Sequence, residues 1–200
     1  MSRIKYSVDS PHVKAWPELV GNLIVNFSTI EMEACIWLIQ LSEQFDSFNR
    51  FAEIPFAERV KEVKKYAALR ATNNNWGRET ARSWDRALEL AKLRNRVAHN
   101  PIVFGWNDPN EKGTPDYIGI PLMRGKKVPK EIFLSSKTIV TGANSAVQIA
   151  HQLSKLRVEW CKQRDEGKTP PVPNNLRGRA WYMARLRYAA HSLKKKIWFR

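Results

Sequence analysis

Residues 17–45 read PELVGNLIVNFSTIEMEACIWLIQLSEQF. Val20, Ile24, Phe27, Glu31, Ala34, Leu38, Leu41 and Phe45 recur at steps of four and three, the period of one helix face. Pro17 suits a first helical position, where its missing N–H has no partner to lose. At about 1.5 Å per residue such a helix runs roughly 40 Å. A rod of that length with one apolar stripe needs other helices to cover it, which points to an α-helical bundle. Glu31 stands in the middle of the stripe, where an apolar residue would be expected.

Outward from this rod, PFAERVKEVKKYAALR over Pro55–Arg70 predicts a second helix, with Phe56, Val60, Val63 and Ala67 inward. The run ATNNN then breaks the chain, since asparagine favours turns. A third helix is expected from Trp76 to His99, with Ala81, Trp84, Leu88, Ala91, Asn95 and Ala98 on its inner stripe. Pro101 disfavours helical geometry at Asn100 and so stops it. Between Pro101 and Lys137 glycine and proline become frequent. DYIGIPLM and EIFLSS look like short extended pieces around RGKKVPK, giving a short β-hairpin or an irregular excursion. Helical pattern returns from Gly142 to about Arg164, with Ala146, Ile149, Leu153, Leu156 and Trp160 inward.

The expected fold is therefore mainly α, a bundle of about four to five helices with the excursion before its last member. It spans residues 1–167. A proline-rich linker at 168–176 and a basic, aromatic helical tail at 177–200 follow. Tyr182, Leu186, Ala189, Leu193 and Ile197 form the tail's apolar stripe, and residues 174–200 hold eight Lys or Arg and no acidic residue.

Composition narrows the partners. The chain has 200 residues, 43% of them hydrophobic, which is enough for a core. Its formal net charge of +15 attracts polyanions and puts nucleic acid first. Cys35 and Cys161 are the only cysteines, and neither has a Cys or His at metal-ligand spacing. No metal and no cofactor are expected. The basic start MSRIKYSVDS lacks a signal peptide's apolar stretch, and no run approaches the roughly 18 apolar residues of a membrane span. A cytoplasmic protein is the expectation, with membrane binding disfavoured.

The chemistry concentrates in KLRNRVAHNP, Lys92–Pro101. Arg94 and His99 are five apart and point about 140° away from each other on an ideal helix. Asn95 and His99 are four apart and share a face. A solvated helix end whose cations complement the dipole is the plain alternative.

Arg94-Asn95-Arg96-Val97-Ala98-His99 resembles the signature of the HEPN superfamily, Arg-x(4 to 6)-His with Asn after the Arg. The long first helix with Phe27-Ser28-Thr29-Ile30-Glu31 is similar to the FSxxE often found in such domains. The resemblance covers roughly residues 10–165 and implies a HEPN-like bundle with metal-independent endoribonuclease activity. On that basis the catalytic residues would be Arg94, Asn95, His99 and Glu31. The ribose 2′-hydroxyl attacks phosphorus, leaving a 2′,3′-cyclic phosphate and a 5′-hydroxyl. Imidazole moves protons near neutral pH, and a guanidinium stabilises the charge building on phosphorus. Asn95 would hold a phosphate oxygen or orient His99, and Glu31 would pair with Arg94 or Asn95. Cations are favoured at a helix C-terminus, so acid, base and phosphate-contact roles for His99 all stay open.

Such domains commonly act as homodimers with the motif helices facing each other, so cooperating Arg and His side chains can come from two chains. The implied biology is a toxin of a toxin–antitoxin pair or a phage-defence effector. Some relatives are silenced by a nucleotidyltransferase antitoxin that modifies a Tyr two residues after the His. Pro101 stands there, which puts that route in doubt and leaves the antitoxin's type open. Arg96 and the tail cations Arg177, Arg179, Arg185, Arg187, Lys194, Lys195 and Lys196 are candidate RNA contacts, while the tail's apolar stripe also suits docking on the body of the protein or on a membrane surface. His12, His151 and His191 have no motif around them. The rival reading is a catalytically silent HEPN module that binds RNA or assembles proteins; a DNA-binding regulator has no helix-turn-helix pattern to support it.

Overall fold

The computed structural model describes residues 11–99, 103–105, 117–121 and 131–172. The chain is mainly helical. Helix α1 (Pro11–Ser42) leads through a 3-10 turn (Phe45–Ser47) to α2 (Phe48–Ala52), α3 (Phe56–Leu69) and α4 (Asn74–His99). Three strands follow, β1 (Val103–Gly105), β2 (Tyr117–Pro121) and β3 (Glu131–Ser135), and then α5 (Ser136–Asp165).

Local chemistry sets the helix ends. Pro11 takes the first position of α1, and Pro17 lies inside the helix instead of opening it. A proline there removes one i→i−4 bond, and the preceding residue, Trp16, is 2% exposed and helps hold that turn by packing. At the other end Glu43 takes a φ of 57° and the Gln44 N–H reaches the Ile39 carbonyl at 3.1 Å, closing the helix with a left-handed residue. Helix α5 ends in the same motif: Gly167 has a φ of 71°, and Lys168 N–H donates to the Gln163 carbonyl at 2.8 Å. Asn73 caps α4, its Oδ1 accepting from the Trp76 N–H at 2.8 Å, so the asparagine run is a helix start more than a turn.

Helix α5 begins at Ser136, six residues before the expected Gly142. Thr138, Ile139, Val140 and Thr141 are β-branched, which lowers helix propensity and hid the helix start. Burial of Ile139 at 0% exposure and the Ser135 hydroxyl, which accepts from the Thr138 N–H at 3.2 Å, favour helix there.

By contacts the chain divides into two compact units. The second comprises residues 29–88 and 149–200. Within it α1, α3, α4 and α5 pack as a helical bundle around tryptophan. Trp37 stacks on Trp76 with centroids 5.7 Å apart and meets Trp84 edge-on at 6.1 Å. The Trp76 indole N–H donates to the Leu156 carbonyl at 3.0 Å, and that of Trp160 to the Arg70 carbonyl at 3.1 Å, so two large rings are buried without losing their polar bonds. Glu33 is 6% exposed and receives Arg157 Nε at 2.9 Å and Nη2 at 3.3 Å, a bidentate pair between α1 and α5. Arg70, 2% exposed, donates to the carbonyls of Leu41 and Pro170, pairs with Glu43 at 3.0 Å and lies over the Trp160 ring.

The first unit comprises residues 1–28 and 89–148. Its sheet is an antiparallel meander in the order β1-β2-β3, with Val103 opposite Gly119 and Ile118 opposite Leu134. The expected hairpin corresponds to β2 and β3; β1 is an additional strand. Helices α1, α4 and α5 meet at Gly142, where a Cβ would lie 2.7 Å from Leu93 Cδ2 and 3.4 Å from Leu23 Cδ1. The missing side chain lets α5 approach that closely.

Helix α1 also corrects the sequence reading on one point. Over Ala15–Ser42 it contains an 18-residue window of mean hydropathy 1.3, long and apolar enough to cross a membrane by length and composition. Counting only uninterrupted apolar residues missed it. In the fold Leu23, Phe27, Ile30, Ala34, Trp37, Leu38 and Leu41 of this helix are buried. The tail expected at 177–200 lies outside the described residues.

Candidate active site at the end of the fourth helix

The last turns of α4 carry the motif, and the inward face there has a different phase from the expected one. Leu90, Ala91 and Val97 are buried, and Arg94 is half-buried between them. Asn95 and Ala98, expected on the inner stripe, are exposed. The buried residues Trp84, Ala87, Leu90 and Val97 advance by threes and a seven, and that course reaches Arg94 and not Asn95. The polar residue that interrupts the inner face is thus the arginine.

Arginine can occupy such a place because its stem is apolar and its head planar. The Arg94 guanidinium carbon lies 5.6 Å from the centroid of the Phe27 ring, which α1 supplies. Its Nη1 donates to Asn95 Oδ1 at 2.9 Å. The Asn95 oxygen therefore serves Arg94, while its amide group keeps two donors for another acceptor. His99 is the final residue of α4 and is exposed. Val97 is 4% exposed and anchors the turn that presents it. One helix end thus offers a planar cation fixed on a ring, an amide beside it and an accessible imidazole one turn further on.

Glu31 belongs to the second unit. Its Oε1 lies 4.0 Å from Nη2 of Arg59 on α3, and its backbone carbonyl accepts from Arg59 Nη1 at 3.0 Å. Arg59 also donates to the Cys35 sulfur at 2.9 Å. Arg59 is thus a cation beside Glu31, and nothing in the sequence singles it out except its position next to Val60 on the inner edge of α3.

Arg96 is half-exposed on the flank of α4. Arg177, Arg179, Arg185, Arg187, Lys194, Lys195 and Lys196 lie outside the described residues. His151 is exposed on α5; His12 and His191 are not among the residues whose side chains are described. Among the described residues no group of three His, Cys, Asp or Glu side chains is placed to hold a metal ion. Phe27 is the site residue whose role the sequence hid: it was legible as a core position, but nothing in the spacing says that an arginine from another helix rests on it.

Comparison with family models, with curated proteins and with solved structures finds no match to this chain.

Proposed function

We propose that this chain is a HEPN-like, metal-independent endoribonuclease that works as a homodimer in the cytoplasm, as a toxin or phage-defence effector. The observation that carries the reading is the Arg94 guanidinium held over Phe27 and bonded to Asn95, beside an exposed His99 at the same helix end. A guanidinium fixed before substrate arrives needs little reorganisation to stabilise a phosphorane. An exposed imidazole can reach a ribose–phosphate junction. In the proposed step the 2′-oxygen attacks phosphorus as its proton passes to a base. The P–O5′ bond breaks and O5′ takes a proton from an acid. The products are a 2′,3′-cyclic phosphate and a 5′-hydroxyl. His99 serves one of these transfers; Arg94 carries the charge on the non-bridging oxygens; Arg96 and the basic tail hold the flanking strand. Exposure of Asn95, Ala98 and His99 on one side of α4 supports a composite site with a second copy, and the net charge of +15 supports RNA as the partner.

The test is incubation of RNA with purified protein in EDTA, alongside His99→Ala and Arg94→Ala. Wild type is expected to cut and leave cyclic phosphate ends, with both variants slowed at least about a hundredfold. Cleavage of a substrate carrying 2′-deoxyribose at the cut position would sink the proposed nucleophile. A second reading, the silent module, draws on the engagement of Arg94 by Asn95 and Phe27, which leaves fewer of its donors for phosphate. RNA binding by all three proteins with cutting by none selects it.

A further inference from the structure

We infer that Phe27 is a positioning residue that fixes the Arg94 guanidinium through its ring face; the catalytic consequence rests on the nuclease reading above. Phe27 is 1% exposed, so its ring belongs to the core and not to the substrate. Its neighbours make it a rigid platform. Leu23, one turn earlier on α1, is 0% exposed and packs where Gly142 lets α5 approach. Asn26, the residue before Phe27, donates from Nδ2 to the Ala143 carbonyl at 3.3 Å and ties this turn of α1 to α5.

Core packing alone would accept leucine or methionine at position 27. An aromatic ring adds something those side chains lack, a face of negative potential that attracts a cation within about 6 Å of its centroid. The Arg94 guanidinium carbon lies 5.6 Å away, inside that range, on a half-buried side chain where water competes less. Asn95 Oδ1 then fixes the guanidinium from beside, at 2.9 Å from Nη1. A ring on one side and an amide at one edge both bear on the place and the plane of the fork. A phosphodiester anion is received best by such a fork when its orientation is set beforehand. Helix α1 thus acts at the site without touching substrate.

The test replaces Phe27 with 3,5-difluorophenylalanine and pentafluorophenylalanine, which keep the ring's shape while draining the negative charge from its face, and with leucine. Multiple-turnover cleavage of an RNA oligonucleotide gives kcat and KM, and arginine-selective NMR follows the Arg94 Nε–H resonance, assigned with Arg94→Lys. The expected result is a stepwise fall in kcat across the fluorinated series, about tenfold at five fluorines. KM should stay within about twofold because only transition-state stabilisation is lost. The resonance should move stepwise with fluorination and lose its ring-induced shift in Phe27→Leu. If wild type cuts RNA and kcat stays flat across the series, Phe27 is core packing only and the inference is overturned while the nuclease reading survives. If wild type cuts no RNA, the nuclease reading fails and the resonance alone decides: stepwise movement upholds the ring-to-guanidinium link, and an unmoved resonance overturns it. The fluorinated proteins keep the test decisive should Phe27→Leu fail to fold.

Discussion

Arg70 shows how a single cation can be structural in a chain with an excess of them. It serves one of the last carbonyls of α1, at Leu41, and the Pro170 carbonyl beyond α5, while Glu43 balances its charge. Burial pulls its guanidinium below the ordinary arginine value, and Glu43 opposes that shift. Arg70→Met strands two carbonyls and should lower unfolding stability by about 2–4 kcal/mol in urea melts. Arg70→Lys should recover only part of it, because an ammonium cannot span the same partners. Cys161 is a second case. Burial pushes its thiol up, Arg164 and Arg157 pull the other way, and the S–H donates to Gln40 Oε1 at 3.1 Å. The folded state keeps the proton longer than the unfolded chain, so the stability this thiol adds is whole below the ordinary thiol range, near 8.5, and drains as pH rises through the folded value. Urea midpoints measured from pH 7 to 10 should fall more steeply for wild type than for Cys161→Ser; parallel curves would contradict the assignment. At this scale the motif was legible, because Arg94, Asn95 and His99 sit within six residues of one another. Arg59 and Arg70 were not, because a lone cation in sequence looks the same whether it meets water or a buried carbonyl.

Helices are fixed by their ends as much as by their stripes. Asn73 caps α4 and Gly167 closes α5 with a positive φ. Asn73→Ala and Gly167→Ala should each cost about 1 kcal/mol, the first by losing an N-cap bond and the second by forcing a Cβ into the left-handed region. Chemical denaturation checks both, and an unchanged midpoint for either removes that cap from the account. Period alone placed Phe27, Ala34, Leu38, Leu41, Val60, Val63 and Trp84, which are buried as their spacing demands, but Phe45, set on the same stripe of α1, lies past that helix and is 64% exposed. Period failed in three places. Phe45–Ala52 carries two short elements with too few residues to show a repeat. The start of α5 carries four β-branched residues that mask its helical period, and its cap and the burial of Ile139 outweigh them. In the last turns of α4 a stripe carried forward by fours and threes came out one residue late, which turned Asn95 and Ala98 inward on paper and hid the inward flank of Arg94.

Over the whole chain, charge is the property most open to measurement. The proposed RNA binding would draw on the formal charge of +15 through phosphate contacts, and such binding weakens with salt. Each phosphate neutralised on a single strand contributes a slope of about −0.7 in log K against log salt. Replacing Lys194, Lys195 and Lys196 together by alanine should flatten the slope by about 2 if all three reach phosphates, and Arg96→Ala by about 0.7. Slopes that match wild type would remove those cations from the RNA surface. This charge could be counted from sequence, but where it gathers in space could not, because placement follows from packing.

The tryptophan cluster gives the protein a built-in optical gauge. Two indoles held 5.7 Å apart at 26°, with a third set edge-on, should couple electronically through their strong far-ultraviolet transition and print a signed pair of bands in the circular dichroism there. That signature belongs to the unit built around Trp37, so its melting curve reports that unit. The Arg94 resonance reports the other, and setting the two curves side by side would reveal whether the halves of α1 and α4 come apart together or in turn.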